Sequence, residues 1–212
     1  MRDRGCVVVA NHLSYADPLV VAHYLNDNGI APSFLGKVEV FNIPVIGKIL
    51  RSARQIPVYR ETGQAADAYR AAVAVVEQGR CIVIYPEATL TRDPDLWPMR
   101  GKTGAARIAL QTRCPVVPVV NWGAQAIIGP YESKPDLLPI KEVIVRAGAP
   151  VDLADLYERP ITREVLQQAT DRIMAALTGL LEEVRGEKAP TTRFDPRAVG
   201  IPTKGNPTKE QR

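Results

Sequence analysis

Two hydrophobic periods alternate along this chain. Nearly continuous apolar runs occur at 6–10 (Cys6-Val7-Val8-Val9-Ala10), 81–85 (Cys81-Ile82-Val83-Ile84-Tyr85), 116–121 (Val116-Val117-Pro118-Val119-Val120-Asn121) and about 142–147. Runs of this length, rich in β-branched residues, predict strands buried on both faces. Weaker runs at Ser33–Gly36 and Gln55–Tyr59 predict two more. Between them, helical patterns cover about 18–27, 64–78 and 103–112, and a long one covers about 163–185. The segment from Ala65 to Glu77 is rich in alanine, the strongest helix former, and Gly79 suits the cap that ends it. Strands alternating with helices predict a single α/β domain over residues 1–185, with a mainly parallel central sheet flanked by helices. Functional groups in such sheets gather at the carboxyl ends of the strands.

The periodicity stops near Arg185. Residues 186–212 are rich in Pro, Thr and Lys and predict a disordered basic C-terminal tail. Lys188, Arg193, Arg197, Lys204, Lys209 and Arg212 stand there against Glu187, Asp195 and Glu210, so the tail carries three of the four net positive charges. Such a tail suits anionic lipid, nucleic acid or simple solubility, and we expect no nucleic-acid partner. Elsewhere, 46% hydrophobic and 24% charged residues are ordinary for a globular chain. Cys6, Cys81 and Cys114 lie in apolar runs without a CxxC pair, which predicts buried reduced thiols. No apolar run approaches the ~18 residues of a membrane-spanning helix, and no signal peptide opens the chain.

Candidate chemistry begins where the first strand ends, at Asn11-His12-Leu13-Ser14-Tyr15-Ala16-Asp17. Asp17-Pro18 reads as a helix start, with Asp17 at the N-cap and Pro18 in the first turn. An ideal helix would separate His12 and Asp17 by roughly 140°, so they meet only if the intervening loop curls. His12 then serves as a base through one ring nitrogen while Asp17 holds the other N–H. Tyr85-Pro86-Glu87-Ala88-Thr89 ends a second buried strand, and a carboxylate and hydroxyl there can bind a polyol acceptor. The non-periodic loop Leu90–Arg100 follows.

Cations gather between these elements: Lys37 after one strand candidate, Arg60 at the end of another, then Arg92, Arg100 and Lys102. Guanidinium forks and ammonium charges near a histidine base suit a phosphate-bearing substrate. There is no GxSxG elbow. Gly101-Lys102-Thr103 mimics the end of a P-loop, but Leu96 stands where its first glycine is required. His12 and His23 make no metal-ligand spacing with the cysteines, and no metal is expected. A histidine base without a side-chain nucleophile points to direct transfer, the acceptor itself attacking.

These residues resemble the glycerolipid acyltransferase family, which includes the 1-acyl-sn-glycerol-3-phosphate acyltransferases. NHLSYAD matches the family's NHxxxxD block. Gly36-Lys37-Val38-Glu39 with Ile56-Pro57-Val58-Tyr59-Arg60 resembles the second block, YPEAT resembles FPEGT, and Val117-Pro118-Val119 resembles the fourth. The blocks span residues 11–120 in the family's order. The resemblance implies a glycerol-3-phosphate acyltransferase-like fold, His12 as general base and Asp17 as its orienting partner. It implies that Arg60, Glu87 and Thr89 line the acceptor site and that the Val-Pro-Val strand shapes the acyl-donor side.

Two departures stand out. Ala88 and Leu90 replace the Gly and Arg usual in the third block, so Arg92 is expected to take over the anion contact. Members commonly carry membrane-seeking helices before the first strand, whereas five residues precede Cys6 here. Residues 41–54 combine apolar positions with Lys48, Arg51 and Arg54, and fit either an interfacial helix or an amphipathic helix packed on the sheet. The resemblance thus implies an acyltransferase that uses acyl-CoA or acyl-carrier protein as co-substrate, with no cofactor, and lysophosphatidic acid as acceptor. It is expected to bind peripherally at the cytoplasmic face of the plasma membrane. A different lipid or glycolipid acceptor, or an inactive lipid- or protein-binding member, are the competing readings.

Overall fold

In the computed structural model, residues 5–58, 64–132, 134–202 and 206 are described. Six strands are described, each within a residue or two of its sequence expectation: β1 (Cys6–Ala10), β2 (Pro32–Lys37), β3 (Ile56–Val58), β4 (Cys81–Ile84), β5 (Val116–Trp122) and β6 (Ile144–Ala147). They form one sheet in the order β3-β2-β4-β1-β5-β6. The first five are mutually parallel and β6 alone runs antiparallel, against β5. β1 is therefore interior, paired with β4 on one side and β5 on the other, which is why its five residues are all buried.

Helices cover both faces. They are α1 (Asp17–Asp27), α2 (Val38–Phe41), α3 (Pro44–Ser52), α4 (Gln64–Glu77), α5 (Gly104–Thr112), α6 (Ala124–Ile127) and α7 (Arg163–Arg185). Side chains alternate across a strand, so β1 divides between two cores. Val7 and Val9 pack in the larger cluster with Ile108 and Ala109 of α5 and Ile173 and Leu177 of α7. Cys6, Val8 and Ala10 meet Val21 and Leu25 of α1. Thr162 caps α7 through its side chain, and Gly186 ends it in the left-handed conformation. Gly79 ends α4 the same way, at φ 74°.

One expectation is corrected. Asp17 is the first residue of α1 rather than its cap, which is Ala16 without a side-chain cap bond. The Asp17 carboxylate instead turns back onto the preceding loop. Of the tail expected to be disordered, residues 187–202 run without helix or strand, and residues 203–205 and 207–212 lie outside the described residues. The 187–202 stretch is held where Phe194 O accepts the Arg100 N–H, Glu182 accepts the Ala189 N–H, and Arg193 pairs with Asp171. These partners are distant in sequence and invisible to local composition. Of the two readings of 41–54, α3 does not show the one packed on the sheet by its apolar side: Val45, Ile46 and Ile49 are exposed, while Phe41 and Gly47 are buried.

Candidate active site

The site forms where β1 and β4 end side by side. Their parallel register, Val9 opposite Ile84, brings the segments leaving both strands together. The loop after β1 curls as the His12–Asp17 spacing required. Asp17 Oδ2 lies 2.8 Å from His12 Nδ1 and also accepts the Leu13 N–H at 2.6 Å and the Ser14 N–H at 2.8 Å. Two backbone donors converging on one carboxylate oxygen fix its position. The pair is buried on the Asp17 side and partly open on the His12 side. Among the described residues the ring's hydrogen bond is this one, so Nε2 is the nitrogen a substrate can meet.

The imidazole stacks on Tyr85, the residue that follows β4. The Tyr85 hydroxyl is buried without a hydrogen-bond partner among the described residues, and burial, with the nearby Asp17 charge, holds its pKa well above the usual phenol value. Glu87 turns inward, only 3% exposed. Its Oε2 accepts the Met99 N–H at 3.0 Å, and the His12 backbone N–H also hydrogen-bonds the carboxyl. Burial, partly offset by those donors, pushes its pKa up to about 8. The Glu87 carboxyl thus ties the 90–99 loop to the His12 segment. A further strap runs from the Thr91 N–H to His12 O at 2.7 Å.

Thr89 is half-buried, 3.3 Å from the Tyr131 hydroxyl, which itself donates to Leu90 O at 2.7 Å. Arg92 is 8% exposed, with its guanidinium 5.6 Å from the centre of the Tyr131 ring. Leu90, standing where the family block has arginine, is buried. Lys102 is exposed, and its backbone N–H donates to Pro86 O at 2.8 Å, which keeps it beside the β4 exit. Lys37 closes β2 at the same end of the sheet. Its side chain, and all of Arg60, lie outside the described residues.

Sequence reasoning missed several participants. Tyr85 was quoted only as part of a block, though its place directly after a buried strand could have flagged it. Asn11 donates to Asn121 O and accepts the Asn121 N–H, both at 2.9 Å, and so pins the β1 exit to β5. Tyr131 and Met99 carried no sequence signal. Among the described residues no three metal-ligating side chains stand together, and no helix is long and apolar enough to cross a membrane.

The structure thus places a carboxylate-oriented histidine at the end of a parallel strand of an α/β domain. The chain belongs to the Acyltransferase family, whose model matches residues 1–122. It is 32% identical over 127 residues to the chloroplastic 1-acyl-sn-glycerol-3-phosphate acyltransferase BAT2 of Brassica napus, covering 59% of this chain and 35% of that protein. It is 29% identical over 119 residues to human 1-acyl-sn-glycerol-3-phosphate acyltransferase beta, covering 55% of this chain and 41% of that one. The chain thus spans well under half the length of these relatives. Its fold matches that of the 1-acyl-sn-glycerophosphate acyltransferase PlsC from Thermotoga maritima, with a TM-score of 0.64 and 24% identity over 90% of this chain and 70% of that one.

Proposed function

We propose that this chain moves a fatty acyl group from acyl-CoA or acyl-carrier protein to the free hydroxyl of 1-acyl-sn-glycerol 3-phosphate, giving phosphatidic acid for phospholipid synthesis. The observation that carries this reading is the 2.8 Å contact between His12 Nδ1 and Asp17 Oδ2 at the mouth of the sheet. His12 Nε2 takes the hydroxyl proton as the acceptor oxygen attacks the thioester carbonyl. Asp17 stabilises the imidazolium. The C–S bond then breaks, and the imidazolium returns its proton to the departing thiolate. No cofactor enters beyond the acyl donor.

In this reading the phosphate of the acceptor meets the cations that leave β2, β3 and β4, namely Lys37, Arg60, Arg92 and Lys102. Thr89 supports them, and Glu87 acts by holding the loop that carries Arg92. A lipid acceptor and product call for peripheral binding to the cytoplasmic face of the plasma membrane. The outward apolar residues of α3, next to Lys48 and Arg51, support that location. Turnover of labelled acyl-CoA with lysophosphatidic acid, in parallel with other lipid and glycolipid acceptors, tests the proposal. We expect phosphatidic acid as the main product. Leu90, buried where the family carries arginine, favours a different lipid acceptor as the second reading, and preference for a phosphate-free acceptor would establish it.

A further inference from the structure

Large exposed apolar side chains are unevenly distributed on this molecule. Apart from Ile161 and Val199, those among the described residues lie in the segments that leave the carboxyl ends of β1, β2 and β5, or at the start of β6. On one flank α3 exposes Val45, Ile46 and Ile49. On the other, the loop between α6 and β6 exposes Leu137 at 64%, Leu138 at 80% and Ile140 at 92%. In the strand order β2 and β6 each stand two places from β1. At about 4.8 Å per strand, the two patches begin roughly 10 Å to either side of the His12 strand.

The second patch is held in place from the site itself. Ser14 Oγ donates to Ile128 O at 2.7 Å, Tyr131 Oη to Leu90 O at 2.7 Å, and the Asp136 N–H to Ile127 O at 2.7 Å. A hydrogen-bonded loop that points three large aliphatic side chains at solvent marks a contact surface. We propose that residues 137–140 are a second bilayer-contact element, inserting Leu137, Leu138 and Ile140 into a lipid surface across His12 from α3. This rests on the lipid-acceptor reading above, and it adds what α3 alone cannot supply. One contact leaves the molecule free to rock, whereas two flanking contacts seat the carboxyl end of the sheet, and so His12, against the lipid.

The two elements differ in chemistry. Lys48, Arg51 and Arg54 are exposed in and just after α3 and match an anionic surface. Around the loop, Lys141 pairs with Asp136 at 2.9 Å, and residues 134–142 hold two lysines, Lys134 and Lys141, and two acids, Asp136 and Glu142, so the segment has no net charge. The loop's contribution is therefore apolar and insensitive to salt, and that of α3 is not.

Flotation of the full chain with phosphatidylcholine vesicles, with and without phosphatidylglycerol, separates them at about 0.1 M and about 1 M salt, where the Debye length is about 10 Å and 3 Å. Leu137→Ser/Leu138→Ser/Ile140→Ser should lose at least about tenfold in partitioning at both salts. Lys48→Glu/Arg51→Glu should lose it at low salt only. Leu137→Trp, which keeps the surface apolar, should add a blue shift in fluorescence when vesicles are present. Wild-type partitioning by the triple variant at high salt, no vesicle binding by the unaltered chain, or no added blue shift would overturn the proposal. So would a dimer that the triple variant dissociates while vesicle binding persists, because a second copy would then be the occupant. Turnover with lysophosphatidic acid, measured on the same proteins, reports separately on the activity: vesicle binding without turnover sinks that reading and leaves the contact element standing.

Discussion

The imidazole of His12 and the phenol ring of Tyr85 are stacked, with centroids 4.1 Å apart and planes 20° from parallel. Asp17 fixes the ring's rotation through Nδ1, and Tyr85 fixes its tilt from the face. The Tyr85 hydroxyl adds nothing to this contact, being buried without a partner among the described residues. Tyr85→Phe should therefore keep kcat within about threefold and leave stability unchanged or raised by up to about 1 kcal/mol, since an unpaired buried hydroxyl is removed. Tyr85→Ala should lower kcat at least tenfold by freeing the imidazole. Steady-state kinetics and thermal unfolding of both variants check this, and a large loss in Tyr85→Phe would give the hydroxyl a role in the reaction.

His12→Ala should reduce turnover by about 10²–10⁴-fold, the usual contribution of a general base, with an unchanged melting profile. Asp17→Asn is the more informative partner. Oδ2 accepts two backbone N–H groups, while Oδ1 is buried without a partner among the described residues. An asparagine must keep its oxygen at the Oδ2 position, which preserves the Nδ1–H tautomer and removes only the charge. A charged hydrogen bond exceeds a neutral one by about 1–2 kcal/mol, so the loss should be roughly five- to thirtyfold, smaller than in His12→Ala. Equal losses would mean that the amide had flipped.

Glu87 supplies a pH signature. Its folded pKa of about 8 exceeds the ordinary 4.5, so between those values the folded chain binds more of this proton than the unfolded chain does. Its contribution to stability is complete below pH 4.5 and is lost as pH rises through 8. At about 1.4 kcal/mol per pH unit this is at most about 5 kcal/mol. Melting temperatures from pH 5 to 8.5 should fall more steeply in wild type than in Glu87→Gln, which cannot titrate. Parallel slopes would show that the carboxyl titrates near its ordinary value.

Gly47 lets α3 cross the end of α2. A Cβ built there would lie 1.9 Å from Phe41 O, a backbone atom that cannot swing aside. Gly47→Ala should destabilise the domain by about 1–3 kcal/mol and weaken vesicle binding by misplacing Val45, Ile46 and Ile49. Denaturant midpoints read the first effect and flotation the second. A neutral outcome in both would mean the junction yields.

Arg185 of α7 lies between the chain's two tryptophans, 3.9 Å from the centre of Trp97 and 4.3 Å from that of Trp122, and donates to Asp95 O at 2.7 Å. The clamp holds the loop whose Met99 N–H reaches Glu87. Arg185→Leu should shift the tryptophan emission, lower kcat severalfold and cost about 1–3 kcal/mol of stability. An altered spectrum with unchanged kcat would confine the clamp to stability.

Local chemistry determined the elements. Val7–Val9, Ile82–Ile84 and Val116–Val120 are β-branched runs with no polar face to offer water, so they are interior strands wherever the chain puts them. Gly79, Thr162 and Gly186 mark helix ends because their backbone or hydroxyl chemistry acts within one turn. His12 and Asp17 were legible for a similar reason: five residues and a helix start bound how far apart they can be. Strand order was beyond that reach. Nothing in residues 81–84 says that β4 inserts between β2 and β1, yet that insertion sets Tyr85 against His12 and sends Glu87 inward to Met99. The tail's path and the outward face of α3 were likewise decided by partners distant in sequence, Arg100 and Asp171 for one and Phe41 with Gly47 for the other. Periodicity records how much of a segment is buried, and only the packed sheet decides what it is buried against.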